Sequence, residues 1–279
     1  MKLGIMIAGK RPDDIRKRLE AAREAGFSLC QLNLLQTGFT RADLAAITDM
    51  MDELSIRPLA IGCYCNPIRP EDPGLMGAAR SDLELLLLSM DMIGARRLVL
   101  WSGTHGHTAF EECEMNASQE SMSSLNRFIT DIVRSTRARR YELIIEPFPM
   151  HTLGTVERIE QFHIGLDPII RDKVRYVVDA PAMITEETYP ERDKQARSIC
   201  RAIGEAAGVF HLRDIIMPPD GEKAFPPPGE GTLDYPAYLE AIFRYAPPET
   251  PAILRNVPPD QYAVARDYLL RQSDRWELA

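Results

Sequence analysis

The sequence predicts a single (β/α)₈ barrel over residues 1–279, and three observations carry that expectation. Short apolar stretches and amphipathic stretches alternate along the whole chain, eight of each, with no linker that would separate two domains. Several strand-like runs, LIIEP and YVVDA among them, are apolar without alternation, as expected of strands covered on both faces. Metal-capable side chains recur at the ends of such runs, about one strand-plus-helix unit apart, which is how a barrel gathers distant residues at one mouth.

The elements follow in order. Leu3 to Ala8 reads as the first strand, and a helix from about Pro12 stops at Gly26. Ser28 to Leu34 is the second strand; Thr40 is a good N-cap for a helix running to about Leu54. Arg57 to Cys63 is the third, with a helix from about Ala78 to Gly94. Arg97 to Trp101 is the fourth, with a long helix from about Ala117 to Ala138. Glu142 to Glu146 is the fifth, its helix starting near Thr155. Val174 to Asp179 is the sixth, its helix from about Pro190 to Ala207. Gly208 to Arg213 and Ala252 to Asn256 close the set, with helices from about Tyr235 to Tyr245 and Pro259 to Arg271. The Pro- and Gly-rich stretch 217–231 falls in the loop after the seventh strand and is expected to form a lid over the mouth.

Composition narrows the function classes. Apolar residues at 45% and charged residues at 27% suit a globular chain with a sizeable core. A net charge of −8 with no basic stripe argues against a nucleic-acid partner. The densest basic run, RSTRARR at 134–140, closes a predicted helix, where cations suit the dipole. Five cysteines with no CxxC pair argue against a disulfide framework and for a reduced, cytoplasmic protein. No stretch is long and apolar enough for a signal peptide or membrane span, so no membrane partner is expected.

Glu146, Asp179 and His211 end strands five to seven. Together they offer two hard oxygens and an imidazole, a set that suits Mn²⁺, Mg²⁺, Co²⁺ or Fe²⁺. Each also has a structural reading: Glu146 as a carboxylate paired with arginine, Asp179 as a cap beside Pro181, His211 as a satisfied core histidine. Arg213 lies two residues beyond His211 and so shares its face. It can hold a substrate carboxylate, phosphate or hydroxyl pair, or pair with Asp179 or Glu146. Asp214 either orients His211 or caps the loop. Trp101 can stack on a sugar ring or pack in the core. His105 and His107, in a Gly-rich turn, are candidates for substrate binding or proton transfer, and His151 is close enough to Glu146 to reach the mouth. His163 reads as a structural helix residue.

Laid out in this order, the chain resembles the xylose-isomerase-like barrels, specifically the sugar (phosphate) isomerase/epimerase group. VFHLRD followed by PGEGTLDY (Pro228 to Tyr235) carries the resemblance, with IIEP followed by GTVE, YVVDA, and GARRLVLWSGT. It implies a divalent ion, Mn²⁺ or Mg²⁺, on Glu146, Asp179 and His211, and a small carbohydrate as partner. From the residues themselves, Glu146 and His211 are the expected catalytic groups, with Trp101, His105, Arg213 and Arg255 as the expected substrate contacts, and a homo-oligomer is compatible with the fold. The family's fourth ligand, a second Glu, is here Arg255 in PAILRNV; the His after it is Asn256, and Ala182 replaces a further His.

A second Glu is what lets such enzymes epimerise with one base on each face. A guanidinium in its place also repels a divalent ion by an amount on the order of several kcal/mol at about 4 Å. Arg255 therefore turns outward, replaces the ion as the fixed positive charge, or marks a site that has lost its chemistry. The expected activity is that of an isomerase or epimerase of a small sugar, sugar acid or polyol, working by proton abstraction next to a carbonyl. The alternatives are a lyase or dehydratase on a polyhydroxy acid, which needs one base, and a non-catalytic carbohydrate-binding protein. A nuclease of the same barrel type would need more His and carboxylate ligands than five histidines supply.

Overall fold

The computed structural model describes residues 1–35, 38–72, 78–135, 140–218 and 222–278. Eight parallel strands close into a barrel in sequence order: β1 (Leu3–Gly9), β2 (Leu29–Leu34), β3 (Arg57–Gly62), β4 (Arg97–Trp101), β5 (Glu142–Glu146), β6 (Val174–Val178), β7 (Ala207–Leu212) and β8 (Ala252–Leu254). The major outer helices are α1 (Pro12–Glu24), α2 (Arg41–Glu53), α3 (Arg80–Ile93), α4 (Gln119–Arg134) and α5 (Val156–Gly165). Then follow α8 (Arg192–Ile203), α9 (Tyr235–Tyr245) and α10 (Tyr262–Gln272), with two single-turn helices, α6 (Pro168–Arg171) and α7 (Ala180–Met183), flanking β6.

The predicted strands and helices are all present, with ends moved by a few residues. Thr40 caps α2 as expected: Asp43 N donates to Thr40 Oγ1 at 3.1 Å, and Thr40 N donates to Asp43 Oδ2 at 2.8 Å. The fourth outer helix is described to Arg134; its expected end and most of the 134–140 basic run lie outside the described residues. β8 is shorter than expected because the chain turns immediately after Arg255. Asn256 adopts a left-handed conformation (φ 58°), which asparagine tolerates better than most side chains. Among the described residues, no helix is long and apolar enough to cross a membrane.

Two apolar layers hold the fold. Outward strand residues such as Leu98, Leu100, Leu143 and Ile145 pack against helix faces such as Leu125, Ile129 and Ile132 of α4. Inside the barrel Ala60, Val99, Ile144, Val177, Val209 and Ile253 pack on one another. Because strand side chains alternate, the residue two positions beyond each of these faces inward too, one layer nearer the C-terminal mouth. Beyond Val99 comes Trp101; beyond Ile144, Glu146; beyond Val177, Asp179; beyond Val209, His211; and beyond Ile253, Arg255. The core layer and the polar layer are thus consecutive rungs of the same strands.

Candidate active site

The register places Trp101 beside Glu146 across β4 and β5, and the donor atoms of Glu146, Asp179 and His211 lie within 4.8 Å of one another. By chemistry and proximity these three can hold a metal ion. Arg255 completes the group from the end of β8. Its Nη1 donates to Asp179 Oδ2 at 3.0 Å, to His211 Nδ1 at 3.0 Å, and to Glu146 Oε1 in a close contact. One nitrogen therefore stands where the three ligand atoms converge, carrying two hydrogens for three acceptors. Of the outcomes open for Arg255, turning outward is excluded.

A directional chain of hydrogen bonds runs through the other side of the barrel. Gln31 and Asn33 are inward residues two apart on β2. His211 Nε2 donates to Gln31 Oε1 at 3.1 Å, and Gln31 Nε2 donates to Asn33 Oδ1 at 3.0 Å. Asn33 Nδ2 donates to Tyr64 Oη at 3.3 Å, and the Tyr64 hydroxyl donates to Glu146 Oε2 at 3.0 Å. Every link points toward Glu146, so His211 Nε2 carries a proton, and the Arg255 contact at Nδ1 makes the ring the neutral tautomer. Arg255 then donates to its Nδ1 lone pair. Gly62 makes room for this circuit, since a Cβ there would collide with Asn33 Oδ1 and lie 3.0 Å from the Tyr64 ring.

These contacts set the charge states. Burial is the largest single influence on the Glu146 carboxyl and would raise it, but the charge and hydrogen bond of Arg255, together with His211, hold the group below the usual range. Burial opposes ionisation of Asp179 likewise, and Arg213 and Arg255 hold it well below. His211 is pushed down, chiefly by burial, and stays neutral. Burial works against the Arg255 charge, yet Glu146 and Asp179 raise its pKa further. Two carboxylates thus balance two guanidiniums, with a neutral imidazole between them.

Arg213 forks onto Asp179, Nε to Oδ1 at 3.0 Å and Nη2 to Oδ2 at 2.9 Å, and its guanidinium lies 3.6 Å from the centre of the Phe225 ring. Asp179 also caps α7 through Ala182 N, so the structural and site readings of that residue hold together. Asp214 is a loop organiser: its carboxylate accepts from the amides of Ile215, Gly229 and Leu233. The expected lid after β7 is fastened down in its described part. Ile216 and Ala224 exchange backbone hydrogen bonds, Phe225 covers Arg213, and Lys223 donates to the carbonyls of Ala182 and Ile184. Burial lowers the Lys223 amine to about 8.

The remaining candidates are engaged elsewhere. His105, expected to touch substrate, bonds Ser121 Oγ of α4 through Nε2 at 2.8 Å and donates its amide to Asn116. His151 packs edge-on against Trp101, bonds the Ala109 carbonyl, and is held neutral by burial at about 4. His163 contacts the Tyr176 hydroxyl. Trp101 packs on Tyr64 with ring centres 5.2 Å apart, and its buried Nε1 has no partner among the described residues. Gln31, Asn33 and Tyr64 were not anticipated. The signal for the first two was two buried amides on one face of the otherwise apolar run LCQLNL.

Tyr64→Phe tests the circuit, because it leaves Asn33 Nδ2 with Met6 Sδ as its remaining acceptor among the described residues and leaves Glu146 Oε2 without a donor. The expected loss is about 1–3 kcal/mol of stability, read as a lower urea midpoint at unchanged slope. An unchanged midpoint would mean the hydroxyl contributes nothing there.

A parallel eight-stranded barrel with a charged centre at its C-terminal mouth is the arrangement in which such barrels carry their chemistry. The chain belongs to the xylose isomerase-like TIM barrel family, whose sequence model matches residues 19–260. No curated protein matches it by sequence. Among solved structures it is similar to D-allulose 3-epimerase from Methylomonas sp. in complex with D-allulose, at 16% identity and TM-score 0.69 over 98% of this chain and 97% of that one. It is also similar to 3-keto-D-glucoside 4-epimerase from E. coli, at 17% identity and TM-score 0.67 over 97% and 99%. A xylose isomerase-like barrel protein from Mycobacterium smegmatis in complex with magnesium matches at 11% identity and TM-score 0.67 over 96% of both chains. At these identities the likeness establishes the fold.

The metal that the family implies can be tested against this geometry. The donor set suits a divalent ion, but Arg255 Nη1 already stands at the point common to all three donors. With Arg255 seated, the site does not fit a metal.

Proposed function

We propose that the protein is an isomerase or epimerase of a small polyhydroxy carbonyl compound, a sugar or sugar acid, acting by proton transfer next to the carbonyl. One observation carries the reading: an ionised carboxylate, Glu146, lies hydrogen-bonded beside a guanidinium whose Nε and Nη2 make no hydrogen bond among the described residues. The sugar epimerases of similar fold support the substrate class.

In this reading Glu146 takes the proton from the carbon adjacent to the carbonyl. The C–H electron pair becomes the carbon–carbon double bond, and the carbonyl pair moves to oxygen to give an enediolate. Arg255 meets that oxygen as a fixed donor in a water-poor site. The hydroxyl proton of the adjacent oxygen passes to the former carbonyl oxygen, and the adjacent carbon–oxygen bond becomes the new carbonyl. Glu146 returns its proton to the former carbonyl carbon, which completes an aldose–ketose interconversion with one base. Inversion at a single carbon needs an acid on the opposite face. Asp179 is held by two arginines and the His211 Nδ1 lone pair is occupied, so one-base isomerisation is the better supported of the two. In this reading Trp101, beside Glu146 in the register of β4 and β5, packs on the apolar face of the substrate.

A second reading, a non-catalytic carbohydrate-binding protein, is favoured by one feature: Glu146 is 2% exposed and both its oxygens are engaged. Incubating a panel of aldoses, ketoses and sugar acids with the protein in deuterated water separates the two. Deuterium appearing at the carbon next to a carbonyl, by NMR, is the expected result. Saturable binding without exchange would favour the binding protein, and neither binding nor exchange across the panel would remove the carbohydrate assignment.

A further inference from the structure

We infer that Arg255 is this site's built-in replacement for the family's divalent ion, and that its open edge is the seat of the substrate's paired oxygens. The second part deepens the functional reading above and rests on it; the first does not. Three observations carry the inference.

The first is position. Nη1 is the atom shared by Glu146, Asp179 and His211, while His211 Nδ1 stands 3.9 Å from Glu146 Oε1 and 3.8 Å from Asp179 Oδ2. A gap of that size between ligand atoms is filled by one nitrogen, so an ion and a seated Arg255 exclude each other. The second is charge. Glu146 and Asp179 are already matched by Arg255 and Arg213, so a divalent ion entering this buried group would leave two uncompensated positive charges. Arginine cannot give up its proton to make room.

The third is the unused half of the guanidinium. Nε and Nη2 form the side-on edge, the same edge with which Arg213 grips Asp179. On Arg255 that edge is unpaired among the described residues: Nε is buried with no partner, and Nη2 makes no hydrogen bond. At 16% exposure, Arg255 is also the member of the group that reaches furthest toward solvent, against 2% for Glu146 and Asp179 and 0% for His211. Two parallel N–H groups with full positive charge match two oxygens on adjacent carbons, the hydroxy-carbonyl pair of a substrate and the enediolate formed from it. A metal would chelate that pair; here an arginine fork takes it.

The test is a titration with Mn²⁺ alone, following the spin-resonance signal of the free ion, on the whole protein and three variants. The parent protein is expected to take up no stoichiometric Mn²⁺ up to about 1 mM. Arg255→Glu and Arg255→Ala, which vacate the seat, are expected to bind one ion per chain at least about tenfold more tightly. Arg255→Lys, which keeps the charge but lacks the fork, is expected to exclude Mn²⁺ still while losing at least about tenfold in calorimetric affinity for a two-carbon hydroxamate, a mimic of the enediolate.

Tight stoichiometric Mn²⁺ in the parent protein overturns the replacement, and that measurement stands even if a variant fails to fold. Folded Glu and Ala variants that bind Mn²⁺ no better than the parent overturn it as well. Full hydroxamate affinity in Arg255→Lys, or none in the parent, overturns the assignment of the open edge. None of these readings needs turnover. A sugar panel without exchange therefore sinks the isomerase reading and leaves the replacement of the ion standing or falling by the titration.

Discussion

Asp179→Asn is expected to destabilise the protein by about 3–5 kcal/mol, the cost of removing one partner from a buried ion pair. Asparagine keeps the shape and can still accept from Ala182 N at the start of α7, so the change isolates charge from packing. Asp179 faces two guanidiniums: the bidentate fork of Arg213 and the Nη1 of Arg255. Without it, Glu146 is the one carboxylate left against both. Arg213, 3% exposed and stacked on Phe225, has no route to water without unpicking the β7 loop. The expected fall in the thermal midpoint is roughly 5–9 °C.

A double variant, Asp179→Asn with Arg213→Met, removes the stranded charge together with its partner. It should recover a large part of the loss, because buried charges cost most when half a pair remains. Additive losses in the double variant would show that the pair is not coupled and that the two residues act through separate contacts.

The legible and illegible parts of this molecule divide along a physical line. Strand ends carrying Glu146, Asp179 and His211 were readable because inward residues two apart on a strand share a face, and the apolar run before each fixed which face that was. Arg255 was readable as a misfit, since a permanent cation appeared where the family resemblance implied an acid. Its seat was not readable, because a long side chain can turn to solvent as easily as inward, and only the left-handed turn at Asn256 and the three acceptors decide the matter.

Contacts made by loops were least visible. His105 looked like a mouth residue, but the β4 loop folds back on the first turn of α4 and gives that ring to Ser121. The β7 loop looked like a lid, but Lys223 and Phe225 fasten it by contacts with residues about forty and twelve positions away, which no local pattern announces. Polar residues of β2 complete the site from the side of the barrel where no strand-end acid drew attention.

Glu146→Gln is expected to lower solvent exchange of the substrate's C–H hydrogen by at least about 100-fold, the range over which a positioned general base contributes. Glutamine keeps the volume and has an oxygen for Arg255, but its amide nitrogen cannot accept from the Tyr64 hydroxyl, so some loss of stability is expected and is measured alongside exchange. The balance of two carboxylates against two guanidiniums shifts to one against two, which raises the positive potential at the open edge of Arg255. Affinity for an anionic enediolate mimic should therefore hold or rise while exchange falls. A general loss of structure would lower both, so the opposite movement of the two quantities identifies the base. Exchange at the parental rate in Glu146→Gln would place the base elsewhere. The next groups to examine would then be Asp179 and Lys223, whose amine is held at about 8 by burial and lies close enough to feel the Asp179 charge.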